Sequence, residues 1–591
     1  MKRLTICTGT ALGLGAMTTL ALLWLLSGLS RAVRANDFVV CPAGPPTCGY
    51  STIQAAVDAA DDGDVIQVVT GVYTGVHQRG GITQVVHVNK SLTLRGGYTL
   101  TQGTVFNPQA YPVTLDAQGQ GRVLYAAAPT LGAGISLTLE GLRFIGGNAA
   151  GMGGDPQGDA GGGIYVGDAT LTLKNSQVSS NTASDGNGGG LYIKSSSATL
   201  SDNIISLNDA NSGGGGLYIS ASVVIFNHNF VSSNHAFSVG GLFQFDSDAT
   251  FTGNTFSSNH ATFGCGVSLA SGSATFNNNV VSFNTSGETG GGLCLTNNNA
   301  TLKDNLIVSN AGVFGGGLRI LDSNATLSGN SILSNTAHIY GRGGGLYVSG
   351  STITLTANTI SFNKSQWYFV QSSFGGGLSV SDSTITLDRN TILSNTAVQG
   401  GGMYLDSVHA TLVNNVIADN QAETLGSGLY LHLSGDDSRL LHNTIARNGS
   451  SALTAGSGGD GSGIYVTGLS HTLALTNTIL VSHAVGITVT AGNMAVLQGT
   501  LWGNASDWGG AGIIVTGTHN AWGNPAFVDP ANGDYHIGPG SAAINAGLGA
   551  GVGIDADYEP RPYQAPDLGA DEYWPPGTLE RLYLPIVLGV H

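Results

Sequence analysis

Charge is scarce in this chain: Asp, Glu, Lys and Arg make up 9% of 591 residues, 20 basic against 36 acidic. Residues 1–35 hold Lys2, Arg3, Arg31 and Arg34 and no acid, so the remainder has 16 basic against 36 acidic residues, a formal charge of −20. Such a surface repels nucleic acid, and a nucleic-acid partner is excluded. A three-residue glycine period is missing although Gly occurs 92 times, which excludes collagen. Beyond the N-terminus no apolar run is long enough to span a bilayer.

Cysteine is also rare, at five residues. Cys7 lies in the apolar N-terminal run. Cys41 and Cys48 bracket a short PAGPPT loop, and a local disulfide is the expectation for an exported chain. Cys265 and Cys294 sit three residues out of step with each other in the repeat, about 10 Å along an extended strand, so they are expected not to pair.

The exception to the missing apolar runs is Leu4 to Leu29, which follows Lys2-Arg3 and leads to the small residues Val33 and Ala35. It reads as an export signal over 1–35, and at about 20 or more residues it is also long enough to stay as a membrane anchor. The mature chain is therefore expected to be secreted or at the cell surface, with no membrane span unless that segment is retained.

What is abundant is one phrase, Gly214-Gly215-Gly216-Leu217-Tyr218-Ile219, repeated from Gly161 to Gly461. The residue after each glycine run falls at Ile164, Leu191, Leu217, Leu242, Val267, Leu293, Leu318, Leu346, Leu378, Met403, Leu429 and Ile464, in steps of 25 to 35. A repeat of that length means a solenoid. Each period holds three short apolar clusters, as in Leu217-Tyr218-Ile219, Val223-Val224-Ile225 and Phe230-Val231, too short and too β-branched for helices. Between them stand asparagines spaced N-x4-N, among them Asn203/Asn208, Asn229/Asn234 and Asn254/Asn259. Asn tolerates the left-handed backbone of a tight corner, and its amide can bond its equivalent one coil away. Two Asn ladders, with the asparagines themselves at the left-handed positions, are thus expected, a feature that an α-solenoid does not require.

These signals specify an all-β fold, a single-stranded parallel β-helix with three short strands per coil and about 16 coils, roughly 75 Å long at 4.8 Å per coil. A helix over residues 51–60, capped by Ser51, closes the first coil, with Ile53, Ala56, Val57 and Ala60 on its apolar face. The expected divisions are signal 1–35, N-terminal cap and first coils 36–130, repeats 131–520, a C-terminal cap region 521–573 and an apolar tail 574–591.

Two resemblances follow from particular residues. STIQAAVDAADDGDVIQVVTGVY and the coils after it resemble the right-handed β-helix of the pectin-lyase-like superfamily, and the glycine phrase with Phe251/Asn254 and Phe276/Asn279 is similar to polymorphic outer-membrane protein repeats. NPAFVDP, GDYHIGPGSAAINAG and PDLGADEY resemble the end of choice-of-anchor Q domain proteins, which implies an exported protein. The calcium-binding Asp clusters and basic residues that the resemblance to pectate lyases implies are not assembled in these coils. Nor do long amphipathic strands close a membrane barrel.

Tyr165, Tyr192, Tyr218, Phe243, Tyr347, Tyr404, Tyr430 and Tyr465 recur at the outward position of the phrase and read as a stack padding the sheet. Function is expected just before the glycines, where the connector varies and carries Phe237, Phe263, Phe314, Tyr340, Trp367, Tyr368, Phe369 and Phe374, with His235, His260 and His338 close by. Two histidines without a third ligand seldom hold zinc. Lys364, Arg342, Arg319 and Glu288 form no recognisable acid/base pair. No cofactor is expected, apart from calcium at the acidic group Asp529, Asp534, Asp555, Asp557 and Asp567. The expected role is a structural or adhesive surface protein binding polysaccharide or a protein partner at the variable corner. The alternative is a lyase or glycoside hydrolase acting on an acidic polysaccharide.

Overall fold

The computed structural model describes residues 37–100, 106–130, 134–155, 158–366, 373–434, 438–450 and 460–578. The expected export signal and most of the apolar tail lie outside them. Within them the chain winds into a right-handed parallel β-helix of about 17 turns, preceded by one helix, Ile53–Ala59. Thr52 rather than Ser51 caps that helix, its side chain accepting from the Ala55 N–H at 3.2 Å. Ile53, Ala56, Val57 and Ala60 are buried in the same core as Ile66, Val86 and Val88 of the first coils. No helix among the described residues is long and apolar enough to cross a membrane.

One coil runs through the strands Leu217–Ser220, Val223–Asn227 and Phe230–Ser232. Each pairs in parallel with its equivalent in the next coil: Leu217 with Leu242, Val224 with Ala249, Val231 with Phe256. Alternation then points every second side chain inward, so like residues stack on like. Val178, Ile205, Val231, Phe256, Val281, Ile307, Ile332 and Ile360 form one fully buried column of a core that is continuous from end to end. A fourth pairing, not expected from the sequence, follows the second asparagine: His235–Ala236 and its equivalents make an 11-stranded sheet of strands two to seven residues long.

Both asparagine ladders are present and buried. In the first, Asn203 donates from Nδ2 to Asn229 Oδ1 at 2.9 Å, and Asn229 donates to Asn254 Oδ1 at 3.2 Å. In the second, Asn208 donates from Nδ2 to Asn234 Oδ1 and to the Val178 carbonyl, both at 3.0 Å. Asn234 repeats this one coil on, donating to Asn259 Oδ1 and to the Ile205 carbonyl at 3.0 Å, and Asn259 Oδ1 also accepts the Asn234 backbone N–H at 3.1 Å.

The ladder asparagines are not, however, the left-handed residues of their corners, contrary to expectation. That backbone falls one residue earlier, on Asp202 before Asn203, Leu207 before Asn208, His228 before Asn229, Ser233 before Asn234, Gly253 before Asn254 and Ser258 before Asn259, with φ between +53° and +65°. The physical reason is that the turn must be complete before the asparagine, which is then free to aim its amide along the stack. In the glycine run, Gly214 has φ +64°, while a Cβ on Gly215 would lie 2.1 Å from the His235 carbonyl oxygen and one on Gly216 would lie 3.0 Å from the Asn234 amide. The first glycine supplies the turn and the next two supply closeness.

A serine ladder accompanies the asparagines and is invisible in a sequence this rich in serine. Ser222 Oγ accepts the Ser196 N–H at 3.1 Å, and Ser247 Oγ accepts that of Ser222 at 3.0 Å. At the C-terminal end the second asparagine ladder ends in a histidine. His483 Nε2 lies 3.2 Å from Asn448 Nδ2, and its Nδ1 lies 2.8 Å from Asn504 Oδ1. To accept from Asn448 the ring must be neutral, and burial pushes its pKa down to about 4.

Cys41 and Cys48 are disulfide-bonded. So are Cys265 and Cys294, contrary to the expectation from their offset, with Cα atoms 6.1 Å apart. Cys265 opens the strand Cys265–Asn277 and pairs with Val239 across an irregularity in register, with two residues from Cys265 to Val267 against three from Val239 to Leu242, so the offset does not translate into about 10 Å. Gly290, whose Cβ would lie 2.6 Å from Cys294 Sγ, leaves room for the bond.

The ladders generate two predictions. Asn259→Ala strands the Asn234 donors and should cost about 2 to 4 kcal/mol, whereas Ser258→Gly, which relieves the left-handed residue beside it, should stay within about 1 kcal/mol. Denaturant unfolding of the two variants checks the contrast. For His483 the unfolded ring takes a proton near 6.5 and the folded ring resists it to about 4. Its contribution is full above the upper value and is lost, by about 3 kcal/mol, as pH falls through that window. Stability measured against pH should show this loss in the parent protein and not in His483→Asn.

Candidate functional site

The expected aromatic patch is divided by the structure. Phe237 stays 50% exposed with its ring 4.4 Å from that of Phe263, and Tyr340 is 54% exposed on a left-handed residue. Beside them His235 and His260 stack at 5.4 Å, with Asp209 2.5 Å from His235 and Thr285 2.9 Å from His260. Phe314 and Phe374 turn instead onto the tyrosine column, 5.6 Å from Tyr347 and 4.6 Å from Tyr404. Trp367, Tyr368 and Phe369 lie outside the described residues.

The tyrosine column pads the sheet. Tyr125, Tyr165, Tyr192 and Tyr218 stack at 4.9 to 5.5 Å, and Tyr165 and Tyr192 are buried, so no ring face there is free for a sugar. Arg319 stands in the same column between Cys294 and Tyr347, and Arg342 lies 5.0 Å from the Phe374 ring. Lys364 and Glu288 are exposed on separate coils. Among the described residues none of these makes an acid/base pair.

A concave site occurs elsewhere, where the segment from Phe106 to Tyr111 folds back over a corner of the early coils. Asn107 anchors it: its N–H donates to the Gly97 carbonyl at 2.9 Å, and its side-chain oxygen accepts the Ala110 N–H at 3.0 Å. Two glycines admit the segment, since a Cβ on Gly97 or Gly141 would lie 2.8 or 2.9 Å from Pro108. The Phe106 ring is fixed by Tyr98 at 6.0 Å and by the Arg95 guanidinium at 5.9 Å.

Between segment and coil lies a groove of about 380 Å³. Asn107 and Gln109 line one side, and Arg143, Asn175 and Gln177 line the other. The strand Leu142–Ile145 buries Leu142 and Phe144 and therefore turns Arg143 outward, next to Gln177 and then Ile204 in register. Arg143 is exposed and makes no ion pair among the described residues, whereas Arg95 beside it is bound to Glu140 at 2.6 Å. Asp202 is the one carboxylate among the lining residues. A free guanidinium, four amide side chains and an aromatic wall suit an anionic, hydroxyl-rich ligand. No sequence pattern marks this groove. Its one signal is a basic residue at an outward strand position in a chain with few basic residues.

The acidic C-terminal group is not one calcium cluster. The segment from Asn524 to Tyr573 lies along the flank of the later coils, where Tyr535, Ile537, Ala543 and Leu568 pack on Ala418, Ala446, Ile479 and Leu501. Asp555 accepts backbone N–H groups of Asp557, Glu559 and Glu572 at 2.8 to 3.1 Å, and Asp567 accepts those of Asn545 and Tyr573 at 2.5 and 2.7 Å. Arg561, fully buried, meets Glu572 at 3.2 Å. Burial pushes the Glu572 carboxyl up to about 7 and raises those of Asp555 and Asp567. These acids are committed to holding the segment together. Asp529 stands apart, bonded to Asn532 at 2.7 Å.

Residues 162–337 and 312–479 match the family model described as right handed beta helix region, and together they cover more than half of the chain. No curated protein matches the chain. Among solved structures, pectate lyase Pel9A aligns over 92% of this chain and 98% of its own, at 12% identity and a TM-score of 0.22. The A-module of the mannuronan C-5 epimerase AlgE6 of Azotobacter vinelandii aligns over 80% of this chain and 94% of its own, at 13% identity and a TM-score of 0.18. At these scores no side-chain role carries across.

Proposed function

Because the chain belongs to the right handed beta helix family, in which the coil interior is filled and chemistry must sit outside it, we propose that this is an extracellular protein that binds an acidic polysaccharide in the groove at Arg143. The observation that carries this reading is Arg143, without an ion pair among the described residues, in a formed groove on a chain whose formal charge is −16. A uronate carboxylate would meet the guanidinium, sugar hydroxyls would meet Asn107, Gln109, Asn175 and Gln177, and Phe106 would pack against a ring face. Two disulfides fit an oxidising compartment, which supports export.

Binding is favoured over cleavage. Hydrolysis needs two carboxylates and the groove has one, Asp202. Elimination from a uronate needs a base held against the sugar C–H as well as a neutralised carboxyl, and the one lining carboxylate, Asp202, is exposed on a corner with no second side chain fixing it among the described residues. The exposed Phe237, packed on a half-buried Phe263 beside the His235 and His260 stack, offers a second contact for the same polymer and an adhesive role on the variable corner.

Titration with a polyuronate and with a neutral glucan of similar length tests the reading. The protein should bind the polyuronate, Arg143→Ala should weaken that binding about tenfold, and Arg143→Lys should recover part of it. Equal affinity for both polymers, or an unchanged Arg143→Ala, contradicts it. Absorbance of unsaturated product in the same mixtures should stay flat, and its appearance would favour the lyase alternative.

A further inference from the structure

Outside the committed acids of the C-terminal segment, a second group of side chains gathers around a cavity of about 110 Å³ between that segment and the coils at Arg389 and Asn414. The strand Asp534–Ile537 turns Tyr535 and Ile537 into the packed flank and so turns His536 outward. His536 Nδ1 lies 2.5 Å from Asp534 Oδ1, and its Nε2 lies 2.6 Å from Asp557 Oδ2. Ligand atoms of His536, Asp557 and Asp571 all lie within 4.8 Å of one another.

Asp571 is the informative member. It is 8% exposed, its Oδ2 accepts the Ile537 N–H at 2.7 Å, and it makes no ion pair and no other hydrogen bond among the described residues. A carboxylate so enclosed costs free energy unless a cation meets it. Arg389, the guanidinium in the cavity wall, is turned away, 2.5 Å from Asp388 and 4.4 Å from the Tyr558 ring, and the His536 ring is already shared by Asp534 and Asp557. Three carboxylates therefore face one imidazole.

We propose that this cavity binds one divalent transition-metal ion of the Zn²⁺ or Mn²⁺ kind through His536 Nε2, Asp557 and Asp571, with water completing the shell. An imidazole with two carboxylates suits these ions, whereas Ca²⁺ takes six to eight oxygens. Asp534 on Nδ1 has the placement of the outer carboxylate that orients a metal-bound histidine and fixes its tautomer. The three ligands come from separate stretches of the segment, so the ion would tie those stretches together over the coil flank.

The full chain, treated with chelator and then dialysed, should take up one equivalent of Zn²⁺ or Mn²⁺ in calorimetric titration and melt at a higher temperature with the ion than without. Asp571→Asn and His536→Ala should abolish uptake. Asp534→Asn should weaken it about 10- to 100-fold, and Asp248→Asn on a distant coil should leave it unchanged. Absence of uptake by the parent, or uptake retained in both ligand variants, overturns the proposal. Should the variants not fold, Co²⁺ added to the parent still decides: visible d–d bands of a nitrogen and oxygen site support the proposal, and their absence overturns it.

Discussion

A buried primary amide must satisfy two donors and an acceptor at once, and that requirement governs this β-helix. Each ladder asparagine meets it only if its equivalent stands one coil away in register, as Asn208 does with Asn234 and Asn234 with Asn259, both at 3.0 Å. A ladder therefore fixes coil pitch, register and the length of chain between two corners together. It also accounts for strain. The residue before each asparagine is held left-handed even when it is Leu207, Phe283 or Phe362, at a cost of roughly 1 to 3 kcal/mol apiece. The side chains of those residues are exposed because the corner turns them out, which explains apolar surface that would otherwise suggest a binding face.

The same constraint sorts the places where function can arise. Between the asparagines of a pair the spacing does not vary, and the largest insertions fall after the second one, where neither asparagine ladder passes. The groove and the cavity both lie against segments outside the repeat. The Arg143 groove depends on the Phe106 segment before the first ladder residue, Asn181, and the His536 cavity depends on a segment that follows the last repeat. The regular coils supply a straight wall, and irregular segments supply the other side.

Much of the fold was legible because it is written in local spacing. The period, the three apolar clusters, the asparagine pairs and the amphipathic face of the first helix each depend on residues a few positions apart. The left-handed corner moved from Asn208 to Leu207, and likewise along both ladders, because a residue's tolerance for a conformation does not say where the turn must fall. The cap moved from Ser51 to Thr52 because two adjacent hydroxyls compete and backbone geometry chooses. The Cys265 and Cys294 bond was missed because a three-residue offset is about 10 Å only in a regular strand, and the register is irregular between Cys265 and Val267. The groove was missed because it joins residues 106–109 to residues 141–177, a juxtaposition that spacing does not encode. In the C-terminal segment the acids were visible, but backbone N–H groups divide them into committed and uncommitted members, and that division depends on how distant stretches meet.

The most direct test of the governing constraint is hydrogen exchange, read by mass spectrometry on peptides covering the asparagine corners, such as residues 254–260 and 279–285. If the ladders hold the coils in register, the corner amides should exchange as slowly as those of the buried strands between them and should open together with them. Corner amides that exchange orders of magnitude faster than the adjoining strands would mean that side-chain packing alone sets the coil, and would contradict the account.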